Sequence, residues 1–463
     1  MATLAPSPAG RSWQSTPATS APKQVDGFYT QWMVRLLFLD VALYAIRDTL
    51  TGSIRYYMDM FGLSTLWFVP DGLAFVVFAY FCYAAIFQNR SILAGMLVVN
   101  FFAAAVIGAI YMNQSSLAFV TGIKAVIPLF VGMAFLDRSI TEKRYCRIIL
   151  FTMMAMSSIG LILAPHSNYP WVGANISNFG FEKTVGKLWW AGGVVRYGGF
   201  AGDSTMAAFM VIFPYFLLYK HLPRWANVLL WPVLFYALDI STSKTASGVL
   251  AAFVAYYVAI HILVPARRQL GLQQGVAVSS YLLVLFPILM IFTLGGANLD
   301  ANYPDLFSLQ DRIDNSWQKP FEYLSQTYPA GLLTGCGLGC FSYPMTYTEM
   351  AGYAVPVDNF YITTYLFLGI PFGILVIAQA FAVRNLRDPS KLALVAMLNI
   401  YTITVACYGP SFATIIAGYV FSGLFGKAAF GPSYSRKHRS AVTPVAPAPS
   451  AAAEPALRSG ISA

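Results

Sequence analysis

Long apolar runs recur from residue 31 to residue 428, and they limit this chain more than anything else in it. A bilayer core takes roughly 20 apolar residues per helix. Inside it every backbone amide must be paired within its own segment, so unbroken runs of this kind mean helices. A membrane β-barrel would instead alternate apolar and polar residues over ~10-residue strands, and no such alternation is present. Composition agrees: 57% of the residues are hydrophobic and only 10% charged, against about 25% charged in soluble domains. The formal charge of +10 does not point to nucleic acid, because the basic residues sit in short segments between apolar runs. There they set topology.

The expected fold is all-α: a polytopic helical membrane protein of about twelve transmembrane helices. The spans fall at 31–46, 65–86, 91–111, 117–136, 147–165, 204–219, 225–238, 246–264, 277–295, 360–382, 391–408 and 409–428. Residues 1–30 and 429–463 are read as disordered cytoplasmic tails. The polar leader has no separate apolar core, so no cleaved signal is expected. Most of the 29 Lys and Arg fall on one side of this partition, as in Arg138/Lys143/Arg144/Arg147 and Arg384/Arg387/Lys391. That asymmetry predicts both termini in the cytoplasm. Two long segments, 166–203 and 296–359, then face the other way, and long loops of this kind are usually functional.

Several residues in these segments have chemistry to offer. The first ends Arg196-Tyr197-Gly198-Gly199-Phe200-Ala201-Gly202-Asp203. Arg196 is either a headgroup anchor, a partner for Asp203, or a ligand-binding cation. In the second, Leu309, Ile313, Trp317 and Phe321 recur every fourth residue. They form one apolar stripe on a helix that Pro320 is expected to bend or end. Arg312 lies beside that stripe. The glycine-rich stretch Thr334-Gly335-Cys336-Gly337-Leu338-Gly339-Cys340-Phe341 lacks the strand–helix setting of a nucleotide loop and reads as a turn that docks the segment. Cys336 and Cys340 are close enough to bond, and the four His show no metal spacing. Asp358, ahead of Asn359-Phe360, suits a general base or the N-cap of the next helix. The turn Ser241-Thr242-Ser243-Lys244-Thr245 offers hydroxyls and one cation. Within the spans, Arg35, Asp40, Asp71 and Lys124 are costly to bury. Arg35 and Asp40 are expected to snorkel from a short span, and Lys124 to pair with Asp71.

Taken in order, these motifs resemble the O-antigen polymerase and O-antigen ligase superfamily of bacterial envelope glycosyltransferases, over roughly residues 190–375. The resemblance implies a donor oligosaccharide on undecaprenyl diphosphate, used at the periplasmic face of the inner membrane. It implies Arg196, Arg312 and Asp358 as catalytic residues, and Lys244, Tyr197, Trp317 and Asn359 as substrate-binding residues. No cofactor or metal is implied, since side chains supply the positive charge. Asp358 stands where ligases of the superfamily have His, which favours a polysaccharide polymerase over a ligase. A chain-length regulator and a flippase of the same pathway are the implied partners, besides membrane lipids. A lipid-linked-oligosaccharide flippase or transporter is the alternative from another class, with Asp71 and Lys124 as its motive; such a protein should also show repeats and broken helices.

Overall fold

The computed structural model describes residues 28–111, 115–178, 181–191, 193–297, 306–353 and 357–426; the expected tails lie outside them except for residues 28–30, which are helical. The first helices are α1 (Phe28–Thr49), α2 (Thr51–Met60), α3 (Val69–Phe81), α4 (Ile92–Tyr111), α5 (Ser116–Met133) and α6 (Arg144–Leu163). Then come α7 (Ser204–Leu218), α8 (Arg224–Ile240), α9 (Lys244–Val258), α10 (Ala266–Ser279) and α11 (Phe286–Leu294). The rest are α12 (Phe307–Asp311), α13 (Lys319–Thr327), α14 (Gly331–Thr334), α15 (Phe360–Leu368), α16 (Ile370–Ala382), α17 (Pro389–Tyr401) and α18 (Ser411–Phe421).

Among the described residues six helical stretches are long and apolar enough to cross a membrane: Ser64–Gln88, Ile92–Tyr111, Ser116–Met133, Arg144–His166, Lys244–Leu263 and Ala266–Leu294. Ile370–Asn385 and Ser411–Phe425 are shorter apolar helices. Helix α4 shows why such sequences suit a bilayer. Val99, Phe102, Val106 and Ile110 stand exposed on one face, while Leu97, Phe101, Ala104 and Gly108 are buried on the other. Both faces are apolar, so no side of this helix is adapted to water.

The bundle is tightest where α5 crosses α18. A Cβ on Gly132 would run into the Ile415 carbonyl, and one on Gly418 into the Leu129 carbonyl. Only glycine lets these two backbones touch, the usual device for packing helices in lipid.

Two expectations for the spans need correction. Helix α1 is longer than the span drawn at 31–46, and Asp40 lies near its middle with no exposed surface. It therefore does not snorkel, whereas Arg35 is exposed and stacks on Trp32 at 5.1 Å. Lys391, grouped with the basic loop residues, is buried; its ammonium bonds Ser422 Oγ at 2.6 Å and lies over the Tyr419 ring.

The two long segments are built differently. The described residues of 167–203 are not helical: β1 (Asn175–Asn178) pairs antiparallel with β2 (Phe181–Thr184), and β3 (Trp189–Ala191) with β4 (Val194–Arg196). The all-α expectation thus gives way to a mostly helical fold with two small hairpins. Residues 306–353 are mainly helical, and their glycine-rich stretch plunges into the bundle. Cys336, Leu338, Cys340 and Phe341 are buried there, with Cys336 and Cys340 joined as a disulfide. Leu338 N–H donates to the Ala104 carbonyl at 3.2 Å, and Gly337 packs on Gly108 of α4. Cys336 N–H donates to the Leu366 carbonyl at 2.7 Å, just before the helix breaks at Gly369. The φ of +66° at Gly369 separates α15 from α16. The docking role expected of this stretch is the one the fold gives it.

Candidate functional site

Arg312 is set by an irregular helix. Helices α12 and α13 are joined by a π-helical turn, Arg312–Gln318, so the helix runs on through Pro320 rather than ending there. Proline has no N–H to offer the preceding turn, and a widened turn just before it absorbs that loss. The apolar stripe packs on the bundle: Ile313 and Trp317 are fully buried, and Leu309 and Phe321 partly so. Arg312 is thereby turned towards the segment end, with 29% of its side chain exposed.

Asp358 is held opposite. Its backbone N–H donates to Ser316 Oγ of the π turn at 2.8 Å. Its carboxylate Oδ2 lies 3.8 Å from Arg312 Nε, and 52% of its side chain is exposed. This is an ion pair at the edge of contact, not a hydrogen bond. Arg312 Nη1 also donates to Ser308 Oγ at 3.2 Å. The protein around Asp358 raises its carboxyl above the ordinary carboxylate value, Arg312 opposes that rise, and Asp311 adds to it. A carboxylate raised in this way is a better proton acceptor near neutral pH.

The N-cap of α15 is Asn359, not Asp358. Asn359 Oδ1 accepts from Ile362 N–H at 2.8 Å, and its Nδ2 donates to the Ile403 carbonyl at 3.0 Å. Asn359 is buried with both amide atoms engaged, so the geometry gives it a positioning task directly behind Asp358. Trp317 is likewise fully buried beneath the Arg312 helix and presents no surface to a ligand. The Lys244 turn is joined to the same corner, since Thr245 Oγ1 and Thr404 Oγ1 are 2.8 Å apart, next to the Ile403 that Asn359 binds. Lys244 itself is exposed at the first turn of α9, behind the Ser243 cap.

Arg196 stands apart. It ends β4, opposite Trp189 of β3, and Lys187 lies over that Trp189 ring at 5.6 Å. No hydrogen bond or ion pair joins Arg196 to Arg312, Asp358 or Asp203 among the described residues, and its buried Nε has no partner. Asp203 instead caps α7, accepting from Met206 N–H at 2.8 Å. Trp171 is buried; its indole N–H donates to the Gly199 carbonyl at 3.1 Å and so holds the turn after Arg196. Tyr197 is partly buried against the core.

A second group of charges lies where α1, α3, α5 and α18 meet. Lys124 Nζ and Asp71 Oδ2 are 2.9 Å apart, the pairing expected from the sequence. Arg47 joins them, with Nη1 at 3.0 Å from Asp71 Oδ1, Nε at 3.5 Å from Asp48 and Nη2 at 2.6 Å from Ser411 Oγ. Sequence reasoning missed Arg47 and Asp48 because the first span was drawn to stop at residue 46; the acidic and basic residues that follow it were the available signal. Among the described residues no group of three or more His, Cys, Asp or Glu gathers.

Family models, curated proteins and solved structures were each compared with this chain, and none matches it.

Proposed function

We propose that this chain is a polysaccharide polymerase of the bacterial inner membrane. In this reading it crosses the bilayer about twelve times, keeps both termini in the cytoplasm, and works at the periplasmic face. It transfers glycan from an undecaprenyl-diphosphate-linked donor onto an acceptor repeat unit. The observation that carries the reading is the open Arg312–Asp358 pair, 3.8 Å apart with Asp358 half exposed, and the Lys244 turn bonded to Thr404 next to the Ile403 that Asn359 binds.

The chemistry asks for those groups. The bond from the sugar's anomeric carbon to the diphosphate oxygen breaks, and the diphosphate leaves with the electron pair. The acceptor hydroxyl forms the new bond and gives its proton to Asp358. Negative charge accumulates on the leaving diphosphate, where fixed cations act most strongly on the rate. Arg312 suits this because its planar fork grips two phosphate oxygens and stays charged. Lys244 and Arg196 complete the cation set, with Tyr197 beside Arg196. A chain-length regulator and a flippase would work alongside. Purified protein given a lipid-linked repeat unit should make a ladder of products. A single transfer would indicate a ligase, and no product at all would sink the reading.

One observation favours a transporter instead. Asp40 is fully buried, neither of its oxygens has a hydrogen-bond partner among the described residues, and a helix breaks at Gly369. Intramembrane charges and broken helices are features of transport paths. Proteoliposomes that move a lipid-linked sugar, and lose that movement with Asp40→Asn, would establish this reading over the first.

A further inference from the structure

Helix α2 packs against the first long segment. Gly52 and Ser53 N–H groups donate to the Phe200 carbonyl at 2.9 and 3.4 Å. Gly52 is so close to Trp171 and the Ala201 carbonyl that a side chain would collide there. One turn further on, Arg55 lies within electrostatic reach of Tyr343 and Tyr347 of the second segment.

Arg55 is only partly exposed, and its guanidinium stacks on Trp67 at 5.2 Å. Arg47 stacks on the same ring, also at 5.2 Å. Three cations, Arg47, Arg55 and Lys124, therefore meet here. The carboxylates nearby are already spent. Asp71 Oδ1 accepts from Arg47 and from Tyr44 OH at 3.0 Å each, and Oδ2 faces Lys124. Asp48 Oδ1 faces Arg47, and its Oδ2 accepts from Phe412 N–H at 2.6 Å. Asp59, one turn along α2, accepts from Ser64 Oγ and makes no ion pair with Arg55 among the described residues. Burial, and the like charge of Arg47, lower the pKa of Arg55, with Tyr343, Asp59 and Tyr347 opposing. A half-buried guanidinium with cationic company and, among the described residues, no carboxylate paired with it is an unfavourable arrangement until an anion arrives.

We infer that Arg55, stacked on Trp67 beside Arg47, is a binding site for a phosphate-class oxyanion, distinct from the Arg312–Asp358 pair. Its planar donors grip two phosphate oxygens. Naming the ligand as the donor's diphosphate rests on the proposed reaction; the site itself does not.

Calorimetry tests it on the full chain in dodecyl maltoside, titrated separately with inorganic diphosphate and with undecaprenyl diphosphate. Both should bind, and Arg55→Gln and Trp67→Ala should each weaken binding by about tenfold or more. Arg55→Lys, which keeps the charge and loses the fork, should fall between. An effect on the lipid form alone supports the site and assigns it a lipid-borne phosphate; an effect on the inorganic form alone supports it and assigns a free phosphate. No binding by the wild-type chain overturns the inference, as does unchanged affinity in Arg55→Gln that keeps its gel-filtration profile. Should Arg55→Gln not fold, an Arg55→Lys affinity equal to wild type overturns it. A product ladder together with unchanged Arg55→Gln binding sinks this site and spares the reaction. Weakened binding without any ladder does the reverse.

Discussion

The molecule holds two clusters of the same chemistry, and they are finished to different degrees. Around Asp71, Arg47 and Lys124 close on carboxylate oxygens at 2.9 to 3.0 Å, and Asp71 keeps only 8% of its side chain exposed. At Asp358 the single pair stands at 3.8 Å with half the carboxylate exposed. The first cluster satisfies itself and ties four helices together. The second leaves donors and an acceptor directed outward. Charges buried at a helix junction must be matched on the spot, because desolvation there costs several kcal/mol per ion. Charges at a segment end are free to wait for a ligand. The lesson is to rank candidate residues by what their partners leave unused.

Removing the shared carboxylate is the hardest blow to the closed cluster. Asp71→Ala strands Arg47 and Lys124 and should cost about 3–5 kcal/mol of stability, read as a lowered unfolding midpoint in detergent. An unchanged midpoint together with altered transport would make that cluster functional and reverse the contrast. At the open pair, Arg312→Ala should slow ladder formation by about 10²–10³ while shifting the unfolding midpoint little, since exposed pairs contribute about 0–1 kcal/mol. A large loss of stability there would show that the pair is structural after all.

The pH dependence sharpens the same contrast. Asp358 accepts a proton only when ionised, so ladder formation should rise with pH through its pKa. Burial has raised that pKa above the ordinary value of 3.8, so the acid limb should lie above that value, and Asp358→Asn should leave no such limb. A limb that persists in Asp358→Asn assigns the base elsewhere. The smallest effect concerns the support behind the pair. Ser316→Ala removes the hydroxyl that accepts the Asp358 N–H and should cost about 1 kcal/mol, with a matching loss of rate as Asp358 loosens.

Much of the scaffold was legible because hydropathy is a local property. The bounds of both long segments follow from where apolar runs stop, and Lys124 with Asp71 could be paired because two opposite charges in apolar runs need each other. The docking of residues 335–341 was legible in their glycines. What stayed hidden depends on distant contacts. The π turn at Arg312–Gln318 is made by Pro320 and the bundle together. Asn359 takes the cap from Asp358 because Ile403 lies in reach of its amide. The hairpins at 175–196 are too short for a strand pattern. Helix α2 is half polar and sits between spans, so nothing in residues 51–60 announces that the first long segment packs against it.

The glycine-rich stretch that packs on Gly108 has a consequence for biogenesis. Helices α4 and α5 leave the ribosome early, yet the residues that fill the gap between Gly108 and Gly122 are Gly337 and Leu338, made far later. Until they arrive, those two helices line an unfilled slot. A nascent chain halted before residue 335 therefore has its early spans in place but loosely joined, open to quality-control proteases. Insertion of the late segment then acts as the latch that commits the whole bundle to its final form.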